Sequence, residues 1–281
     1  MAQRLAQRFS GKVVLITGAS RPEGIGAAAA QRFAGEGATV ALTARGAAGL
    51  EAVAQSIRDR GGQARAFPAD LGDPAACEAL LRAVEAAFGG LDVLVNNAGA
   101  NTRGHVEHQD PAALANIIQI NLVAPIVLTR LALPRLRARG GGSVVQVASI
   151  AGQIPLDGEA AYSASKHGLR AFSFALREEL AGSSIHVAVV SPGPVDTGFL
   201  LDELDDVPDI VFANPMSTAD QVAALIVESA TDGRRERTIP ARTGALARLA
   251  AAVPALRRAL TPTMNRRGAS AKAAFRLRHR G

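Results

Sequence analysis

The sequence predicts an α/β protein built on one parallel β-sheet with helices on both faces. Short β-branched runs alternate with Ala-rich helical stretches, which is the pattern of βαβ units. The early strands are nearly all apolar (VVLIT, VALTA, LDVLV), as expected for strands that helices cover on both faces. Seven such units fill the first 240 of the 281 residues and leave no room for a second domain. We therefore expect a single doubly wound domain of the Rossmann type with a seven-stranded parallel sheet.

The elements follow one another in strict alternation along the chain. The predicted strands are Lys12–Thr17, Thr39–Thr43, Ala64–Ala69, Leu91–Val95, Ser143–Ala148, Ile185–Val190 and Arg237–Ile239. The predicted helices cover residues 25–35, 47–60, 73–88, 110–138, 160–182 and 218–230. The sheet domain is expected to span residues 1–240, and residues 241–281 are expected to form a basic C-terminal helical extension.

Three regions depart from this alternation. A long connection, Phe199 to Pro215, follows the sixth strand and carries apolar residues in helix-like spacing at positions 200, 201, 204, 207 and 211. This apolar face either closes over an apolar ligand or packs on the body of the domain, and the sequence supports both readings. Further on, a second helical pattern with an apolar stripe is predicted, and Pro254 inside it should kink the helix. The stripe consists of Leu246, Leu249, Val253, Leu256 and Leu260. Residues beyond Thr261 are expected to be loosely held.

The net charge of +6 is concentrated at the C-terminal end. Residues 241–281 contain ten basic side chains and no acidic one, so the first 240 residues carry a net charge of −4. The extension could dock on its own domain or on a neighbouring subunit, lie on an anionic membrane surface, or be disordered. Nucleic acid is not an expected partner, because the only aromatic residue beside this charge is Phe275 and no recognised binding motif accompanies it.

The composition is that of a cytoplasmic protein. A single cysteine, Cys77, excludes a disulfide framework and fits a reducing compartment. The first residues, MAQRLAQRFSGK, lack the apolar core of a signal peptide. The most apolar stretch, Ile117 to Leu128, is too short to span a membrane and is interrupted by Gln119, Asn121 and Pro125. We expect a cytoplasmic protein, with peripheral membrane contact through the extension left open.

A glycine-rich turn joins the first strand to the first helix. Glycines permit a tight turn and the close approach of a diphosphate, which a helix N-terminus holds through its N–H groups and its dipole. The residues expected to contact a dinucleotide here are Gly18, Ser20, Arg21, Gly24, Ile25 and Gly26. Arg45 follows the second strand, where NAD sites tend to carry an acid, and an arginine there suits the 2′-phosphate of NADP. Arg21 is a second candidate for that phosphate, and both arginines could instead be solvated.

A Tyr-x-x-x-Lys motif lies in the helical stretch 160–182. Tyr162 and Lys166 are one turn apart on one helix face, so the ammonium can sit near the phenol and lower its pKa from about 10. A phenol tuned in this way can give a proton to an alkoxide or take one from it. Tyr162 is the only tyrosine of the chain, and it stands 13 residues after Ser149.

These residues, with Asn96-Asn97-Ala98-Gly99, Asn121 and the run Pro192 to Thr197, resemble the short-chain dehydrogenase/reductase family. The motifs appear in the family's order between about Ser10 and Pro240. The resemblance implies hydride transfer between a nicotinamide cofactor and a small-molecule carbonyl or secondary alcohol. With Arg45 in place, NADP(H) is expected to be preferred over NAD(H).

The resemblance also implies roles for individual residues. Tyr162 would be the general acid/base, Lys166 would tune it and hold the nicotinamide ribose, and Ser149 would hydrogen-bond the substrate oxygen. Asn121 would keep a water beside Lys166 through a local break in its helix. Besides Tyr162, Lys166 and the glycine-rich turn with Arg45, the cofactor would be contacted by Asp70, Leu71, Asn97, Ala98, Gly99, Pro192, Gly193, Val195 and Thr197.

One departure and two alternatives accompany the resemblance. Five residues, where the family usually has three, separate Gly18 from Gly24, which leaves the direction of Arg21 open. A nucleotide-sugar epimerase-like enzyme would need a longer C-terminal domain, and a non-catalytic dinucleotide sensor would lack the tyrosine or the lysine.

The resemblance further implies a homodimer or homotetramer. His105 and His108 have no further ligand at metal-site spacing, so no metal is expected.

Overall fold

The computed structural model describes residues 7–201 and 204–278. Residues 1–6, which the signal-peptide argument used, and the acids Asp202 and Glu203 of the long connection lie outside the described residues. The same holds for Arg280 and for the side chains of Leu201, Arg248, Leu256, Arg257 and Arg278.

Seven parallel strands form the central sheet, as the sequence predicts. In chain order they are β1 Val13–Thr17, β2 Thr39–Thr43, β3 Gln63–Ala66, β4 Val93–Asn96, β5 Gly142–Val147, β6 Ile185–Pro192 and, after two short strands outside this sheet, β9 Glu236–Ile239. Their order across the sheet is β3-β2-β1-β4-β5-β6-β9, which is doubly wound. The third strand ends three residues earlier than predicted, at Ala66, although the N–H groups of Phe67 and Ala69 still donate to the carbonyl oxygens of Leu42 and Ala44.

Helices cover both faces of this sheet. They are α1 Ile25–Gly35, α2 Ala47–Asp59, α3 Pro74–Phe88, α4 Pro111–Ile118, α5 Ala124–Ala138, α6 Ala160–Glu179, α7 Gly198–Leu201, α8 Asp209–Phe212, α9 Ala219–Asp232, α10 Ala241–Ala252 and α11 Pro254–Arg278. Val14 and Ile16 of β1 pack with α1, α2 and α9, whereas Val13 and Leu15 pack with α3, α5 and α6. Burial of alternate residues on two apolar faces explains the continuous apolar strands.

The helices α4 and α5 belong to one helical segment, Pro111–Ala138. The five residues between them, Gln119–Val123, form a wider π-helical turn, which is the local break implied at Asn121. By length and composition alone this segment could cross a membrane. In the fold, its Leu128 and Leu136 pack in the core against the sheet, so it serves as a core helix.

The C-terminal extension is helical over its described length. The break expected at Pro254 is present, with α10 ending at Ala252 and α11 beginning at Pro254. The expectation of loosely held residues beyond Thr261 is wrong, because α11 continues to Arg278 and buries Lys272 and Phe275. Phe275 packs on Phe212 of α8, a contact between distant parts of the chain that composition does not reveal. Of the alternatives for the extension, the structure shows docking on its own domain.

The long connection after β6 is only partly helical. Where the sequence shows helix-like spacing, the structure has two four-residue helices, α7 and α8, and Pro208 stands directly before α8. Because the residue before a proline disfavours helical geometry, the two helices do not join. Two short strands flank the connection and pair with each other, β7 Val195–Asp196 and β8 Ser217–Thr218. Its Leu200 and Val207 pack with Phe212 and Phe275, so the connection is held between the sheet domain and α11.

Candidate active site

A cleft of about 850 Å³ opens at the carboxyl ends of the parallel strands. It lies beside β1 and β4, the neighbours from which the chain winds away in opposite directions, which is where doubly wound sheets bind ligands. All the residues predicted to contact the cofactor line this cleft except Gly26. Of the predicted catalytic residues, Ser149, Tyr162 and Lys166 line it and Asn121 lies behind its wall.

Two glycines of the β1–α1 turn are required by close packing. Gly18 has a φ of +69°, and a Cβ on it would lie 2.7 Å from the Cα of Ala98. A Cβ on Gly26 would lie 2.5 Å from the carbonyl oxygen of Gly18 and 2.8 Å from Nδ2 of Asn97. Gly26 therefore supports the turn from behind rather than facing the cleft.

Hydrogen bonds join this turn to the end of β4. Asn97 Nδ2 donates to the carbonyl oxygens of Thr17, at 2.9 Å, and Gly18, at 3.1 Å. In return, Thr17 Oγ1 accepts from the backbone N–H groups of Asn97 and Ala98, both at 2.9 Å. Thr17 was not among the predicted site residues, although its position as the last residue of β1 was the available signal. These bonds hold two walls of the cleft at a constant separation.

The N-terminus of α1 suits a diphosphate. Gly24 is its N-cap residue, no side chain caps it, and its first turn contains no acid. Helix N–H groups and the positive end of the helix dipole therefore face the glycine-rich turn, and anions bind well in such places. The neighbouring β2–α2 loop touches this turn, since a Cβ on Gly49 would lie 2.2 Å from the carbonyl oxygen of Ser20. This contact brings Arg21 and Arg45, both exposed, to the same rim of the cleft.

Three polar side chains meet at the inner end of the cleft. Ser149 follows β5, where its Oγ accepts from the N–H of Ala151 at 3.1 Å. Tyr162 of α6 shares a hydrogen bond with Ser149. Lys166, one turn later, donates from Nζ to the carbonyl oxygen of Val147 at 3.0 Å and lies 5.7 Å from the centre of the Tyr162 ring. The resemblance assigned these three side chains to one catalytic group, and the fold brings them together.

The pKa of Tyr162 is raised to about 12 by burial and by the negative charge of Glu159, while Ser149 and Arg103 act in the opposite direction. Burial also lowers the pKa of Lys166 to about 8. The expected lowering of the phenol pKa by Lys166 is therefore wrong for the chain by itself, because the amine donates to Val147 and burial of the phenol dominates. With its pKa raised to about 12, the phenol is protonated at neutral pH.

Asn121 braces the cleft wall from behind. Its side chain is fully buried, and Nδ2 donates to the carbonyl oxygen of Ala100 at 2.8 Å and to Ser165 Oγ at 3.1 Å. Oδ1 accepts from the N–H of Ala100 at 2.8 Å. A Cβ on Gly99 would lie 3.4 Å from Oδ1 of Asn121 and 3.8 Å from Nζ of Lys166. The π-helical turn thus aims the amide at the backbone beside Lys166.

Sequence reasoning missed a charged pair next to the phenol. Arg103 and Glu159 both line the cleft, with Nε 3.0 Å from Oε1, and Asn101 Nδ2 donates to the same oxygen at 3.2 Å. The guanidinium also lies 5.9 Å from the centre of the Phe199 ring, which is 6.3 Å from the ring of Tyr162. The one available signal was Glu159, three residues before Tyr162 and therefore on the same side of the helix start.

The outer part of the cleft is mostly apolar. One wall belongs to the connection after β6, with Leu200, Val207 and Ile210, and another to the segment after β5, with Ile150 and Ile154. Of the two alternatives left open for the connection, packing on the rest of the protein is confirmed, since Leu200 and Val207 pack with Phe275. Both residues also line the cleft, and closure over an apolar ligand stays a prediction. One part of the cleft is thus lined by the glycine-rich turn and the end of β4 and another part by mostly apolar residues, and Ser149, Tyr162 and Lys166 line the same cleft.

A doubly wound sheet whose cleft brings a glycine-rich turn together with a serine, a tyrosine and a lysine is typical of nicotinamide-dinucleotide oxidoreductases. The short chain dehydrogenase family model matches residues 12–207, and the chain belongs to the short-chain dehydrogenase/reductase family.

Individual relatives support this assignment over most of the chain. The chain is 37% identical over 226 residues to the ketoacyl reductase HetN of a Nostoc species, covering 80% of this chain and 78% of that protein. It is 35% identical over 236 residues to D-threitol dehydrogenase of Mycolicibacterium smegmatis, covering 80% and 88%. A crystal structure of a metagenomic short-chain oxidoreductase in complex with NADP is 34% identical, with a TM-score of 0.70, covering 82% of this chain and 97% of that one.

Proposed function

We propose that this protein is an NADP(H)-dependent oxidoreductase that transfers hydride between nicotinamide and an apolar carbonyl compound or secondary alcohol. One observation carries the proposal: a protonated phenol, Tyr162, is hydrogen-bonded to Ser149 and lies one helical turn from a buried lysine at the inner end of a dinucleotide-shaped cleft. When bound, the nicotinamide supplies or accepts the hydride. The chain's own residues position the reacting oxygen and move the proton.

The proton chemistry follows from the environment of the phenol. A substrate oxygen hydrogen-bonded to Ser149 would lie within reach of the Tyr162 hydroxyl, because these two side chains already share a hydrogen bond. With a pKa of about 12, Tyr162 holds its proton at neutral pH and releases it only to a strong base such as a developing alkoxide. In the proposed reaction Tyr162 is therefore the proton donor for carbonyl reduction at neutral pH.

The proposed preference for NADP(H) rests on two arginines at the same rim of the cleft. Arg45 and Arg21 are exposed beside the turn that would hold the adenosine ribose, and no acidic residue lies between Thr39 and Leu50. A 2′-phosphate placed there would meet positive charge, whereas the ribose 2′-hydroxyl of NAD would lack its usual carboxylate partner. The NADP in the related crystal structure agrees with this proposal.

The experiment is a screen of ketones and secondary alcohols with NADPH or NADP, followed by the absorbance of the reduced nicotinamide. We expect Tyr162→Phe to lower kcat at least a hundredfold, the usual scale for losing a general acid, with NADPH affinity retained. Ala164→Ser, an exposed change on the same helix, is the matched control and should keep full activity. Full activity of Tyr162→Phe would remove the phenol from the reaction. Undiminished NADPH binding with no turnover of any substrate would favour the sensor alternative.

We also propose that the protein is a cytoplasmic homodimer or homotetramer. Half-buried apolar side chains on the outer part of the Pro111–Ala138 segment, including Ile118, Val123 and Ile126, offer an apolar surface for a second copy. Light scattering after size-exclusion chromatography should give at least twice the chain mass of 28.9 kDa. The mass of a single chain would contradict the proposal.

Peripheral membrane contact through the extension is proposed as a feature of the same protein. Leu249 of α10 and Val253, the residue directly after this helix, are 52% and 42% exposed, in a region that contains basic residues and no acidic one. The full chain should sediment with vesicles containing phosphatidylserine more than with phosphatidylcholine vesicles. The double variant Leu249→Asp, Val253→Asp should sediment equally with the two kinds of vesicle. If the wild type and the double variant sediment to the same extent with phosphatidylserine vesicles, the proposed membrane contact is wrong.

A further inference from the structure

The outer wall of the cleft comes from the C-terminal extension, which lies beyond the residues 12–207 that the family model matches. Both of its helices contribute. The extension residues that line the cleft are Thr243, Leu246, Ala247, Ala250, Leu260, Thr261, Met264 and Asn265. They are neutral, although the extension as a whole carries ten basic side chains. Among the described residues of the extension, no basic side chain lines the cleft, and Leu246, Ala247, Ala250, Leu260 and Met264 give its lining an apolar character.

The opposing wall has the same apolar character. Val207, Ile210 and Val211 of the connection after β6 line the cleft across from these residues. Asp209, the acid of this connection that lines the cleft, has Oδ1 3.6 Å from Lys272 Nζ, and Asp157 of the segment after β5 is exposed. An apolar channel thus continues from Tyr162 toward α11.

A buried lysine of α11 joins this helix to the connection after β6 by hydrogen bonds. Lys272 of α11 donates from Nζ to the carbonyl oxygens of Asp205 at 2.9 Å and Val207 at 2.6 Å, and it is only 7% exposed. Gly268, one turn earlier, lies against the backbone of Asp209, where a Cβ would come within 1.9 Å of the carbonyl oxygen. These contacts set the position of the connection relative to α11, and both elements line the cleft.

We infer that the C-terminal extension is the wall that binds the substrate chain, and that the substrate carries its carbonyl or hydroxyl near one end of a long, unbranched apolar chain. This inference rests on the proposed function and adds the substrate class to it. An apolar channel gains free energy with each methylene that it removes from water, so kcat/KM should rise about three- to fourfold per added carbon until the channel is filled.

The test is a series of 2-alkanones from butan-2-one to decan-2-one with NADPH. The wild-type kcat/KM should rise at least a hundredfold across the series. Ala250→Phe, which narrows the wall, should lose at least tenfold on decan-2-one and stay within twofold on butan-2-one. Its matched control is Leu249→Phe, at the neighbouring position that is exposed and does not line the cleft. If Ala250→Phe does not fold, Met264→Asn at a half-buried lining position should show the same selective loss.

Lys272 is tested as a positioning residue. Lys272→Met should raise KM for decan-2-one at least fivefold while kcat on butan-2-one stays unchanged. Arg267→Met, an exposed change on the same helix, should alter neither. A general structural defect would lower kcat for every ketone, so the split between KM and kcat separates the two explanations.

The outcomes distinguish the inference from the proposed function. A flat or falling chain-length series with clear NADPH-linked reduction of butan-2-one would overturn the apolar channel and leave the oxidoreductase proposal standing. Equal effects of Ala250→Phe and Leu249→Phe would also overturn it. A protein that binds NADPH and reduces no ketone of the series would contradict the proposed function itself.

Discussion

Arg103 and Glu159 form an ion pair inside the cleft, with Nε 3.0 Å from Oε1 and side chains only 3% and 5% exposed. The pair stands beside the one tyrosine of the chain, and its two charges act on the phenol pKa in opposite directions. A buried carboxylate alone would strongly disfavour loss of the phenol proton, and the guanidinium partly offsets that effect. The acidity of the proposed proton donor is therefore set by burial of the phenol and by this pair.

The first prediction concerns the pH dependence of turnover. Glu159→Gln removes the negative charge that raises the pKa of Tyr162, so this pKa should fall, on the order of one pH unit. The rate of alcohol oxidation, which needs the ionised phenol, should then begin to rise at lower pH than in the wild type. The measurement is kcat/KM for oxidation as a function of pH. Asp157→Asn, an exposed acid that also lines the cleft, is the control and should keep the wild-type profile. An unshifted profile for Glu159→Gln would show that the carboxylate does not act on the proton donor.

The second prediction concerns the choice of cofactor. Arg45→Asp exchanges a cation at the cleft rim for the carboxylate that NAD sites prefer, and it should weaken NADPH binding at least tenfold while NADH binding stays equal or improves. Dissociation constants from nicotinamide fluorescence would measure both. Arg82→Asp makes the same charge change on an exposed part of α3 away from the cleft, and it should leave both constants unaltered. An unchanged ratio in Arg45→Asp would mean that another group selects the cofactor.

The third prediction concerns stability in acid. Burial of Asp92 raises its pKa, but hydrogen bonds from the Val13 N–H, Arg139 and Lys12 outweigh burial and hold the pKa below its usual value. A carboxyl whose pKa is lowered in the folded state stabilises the fold above its unfolded pKa, and this contribution is lost as the pH falls through the folded pKa. Asp92→Asn should therefore lower the free energy of unfolding by about 1–3 kcal/mol at pH 7.

The difference between Asp92→Asn and the wild type should shrink as the pH falls toward 3, and urea unfolding at several pH values measures it. The control is Asp220→Asn. Asp220 forms an exposed ion pair with Arg32, which also lowers its pKa, so this substitution should change the free energy of unfolding much less at every pH. A pH-independent difference for Asp92→Asn would place its effect in packing rather than in charge.

The fourth prediction compares two buried threonines that end neighbouring strands. Thr17 Oγ1 accepts from two backbone N–H groups, whereas within the described residues Thr43 Oγ1 is buried without a hydrogen-bond partner. Thr17→Val should cost about 2–4 kcal/mol of unfolding free energy and weaken NADPH binding, because it leaves two donors unsatisfied at the cleft. Thr43→Val should be neutral or stabilising. Equal losses in the two variants would show that the Thr17 hydroxyl does not hold the cleft walls.

Much of the architecture was readable from the sequence. The apolar runs of β1 and β2 and the Ala-rich pattern of α1 depend on local periodicity, which persists whatever the rest of the chain does, and the seven-stranded doubly wound sheet follows from them. The motif spacing around Tyr162 identified the residues that the fold gathers at the cleft. Local patterns failed where distant segments meet. The region after β6 with helix-like spacing forms two short helices, and the residues beyond Thr261 form a helix because Phe275 packs on Phe212.

The sequence by itself determined the sheet, its covering helices and the family to which the chain belongs, because each rests on residues close together in the chain. Only the tertiary structure decided three other features: the direction of the phenol pKa, the pairing of Arg103 with Glu159, and the use of the extension as a cleft wall. All three depend on burial and on charges brought together from far apart in the chain. Neither burial nor such proximity is encoded in a local pattern, since both arise only when the chain has packed.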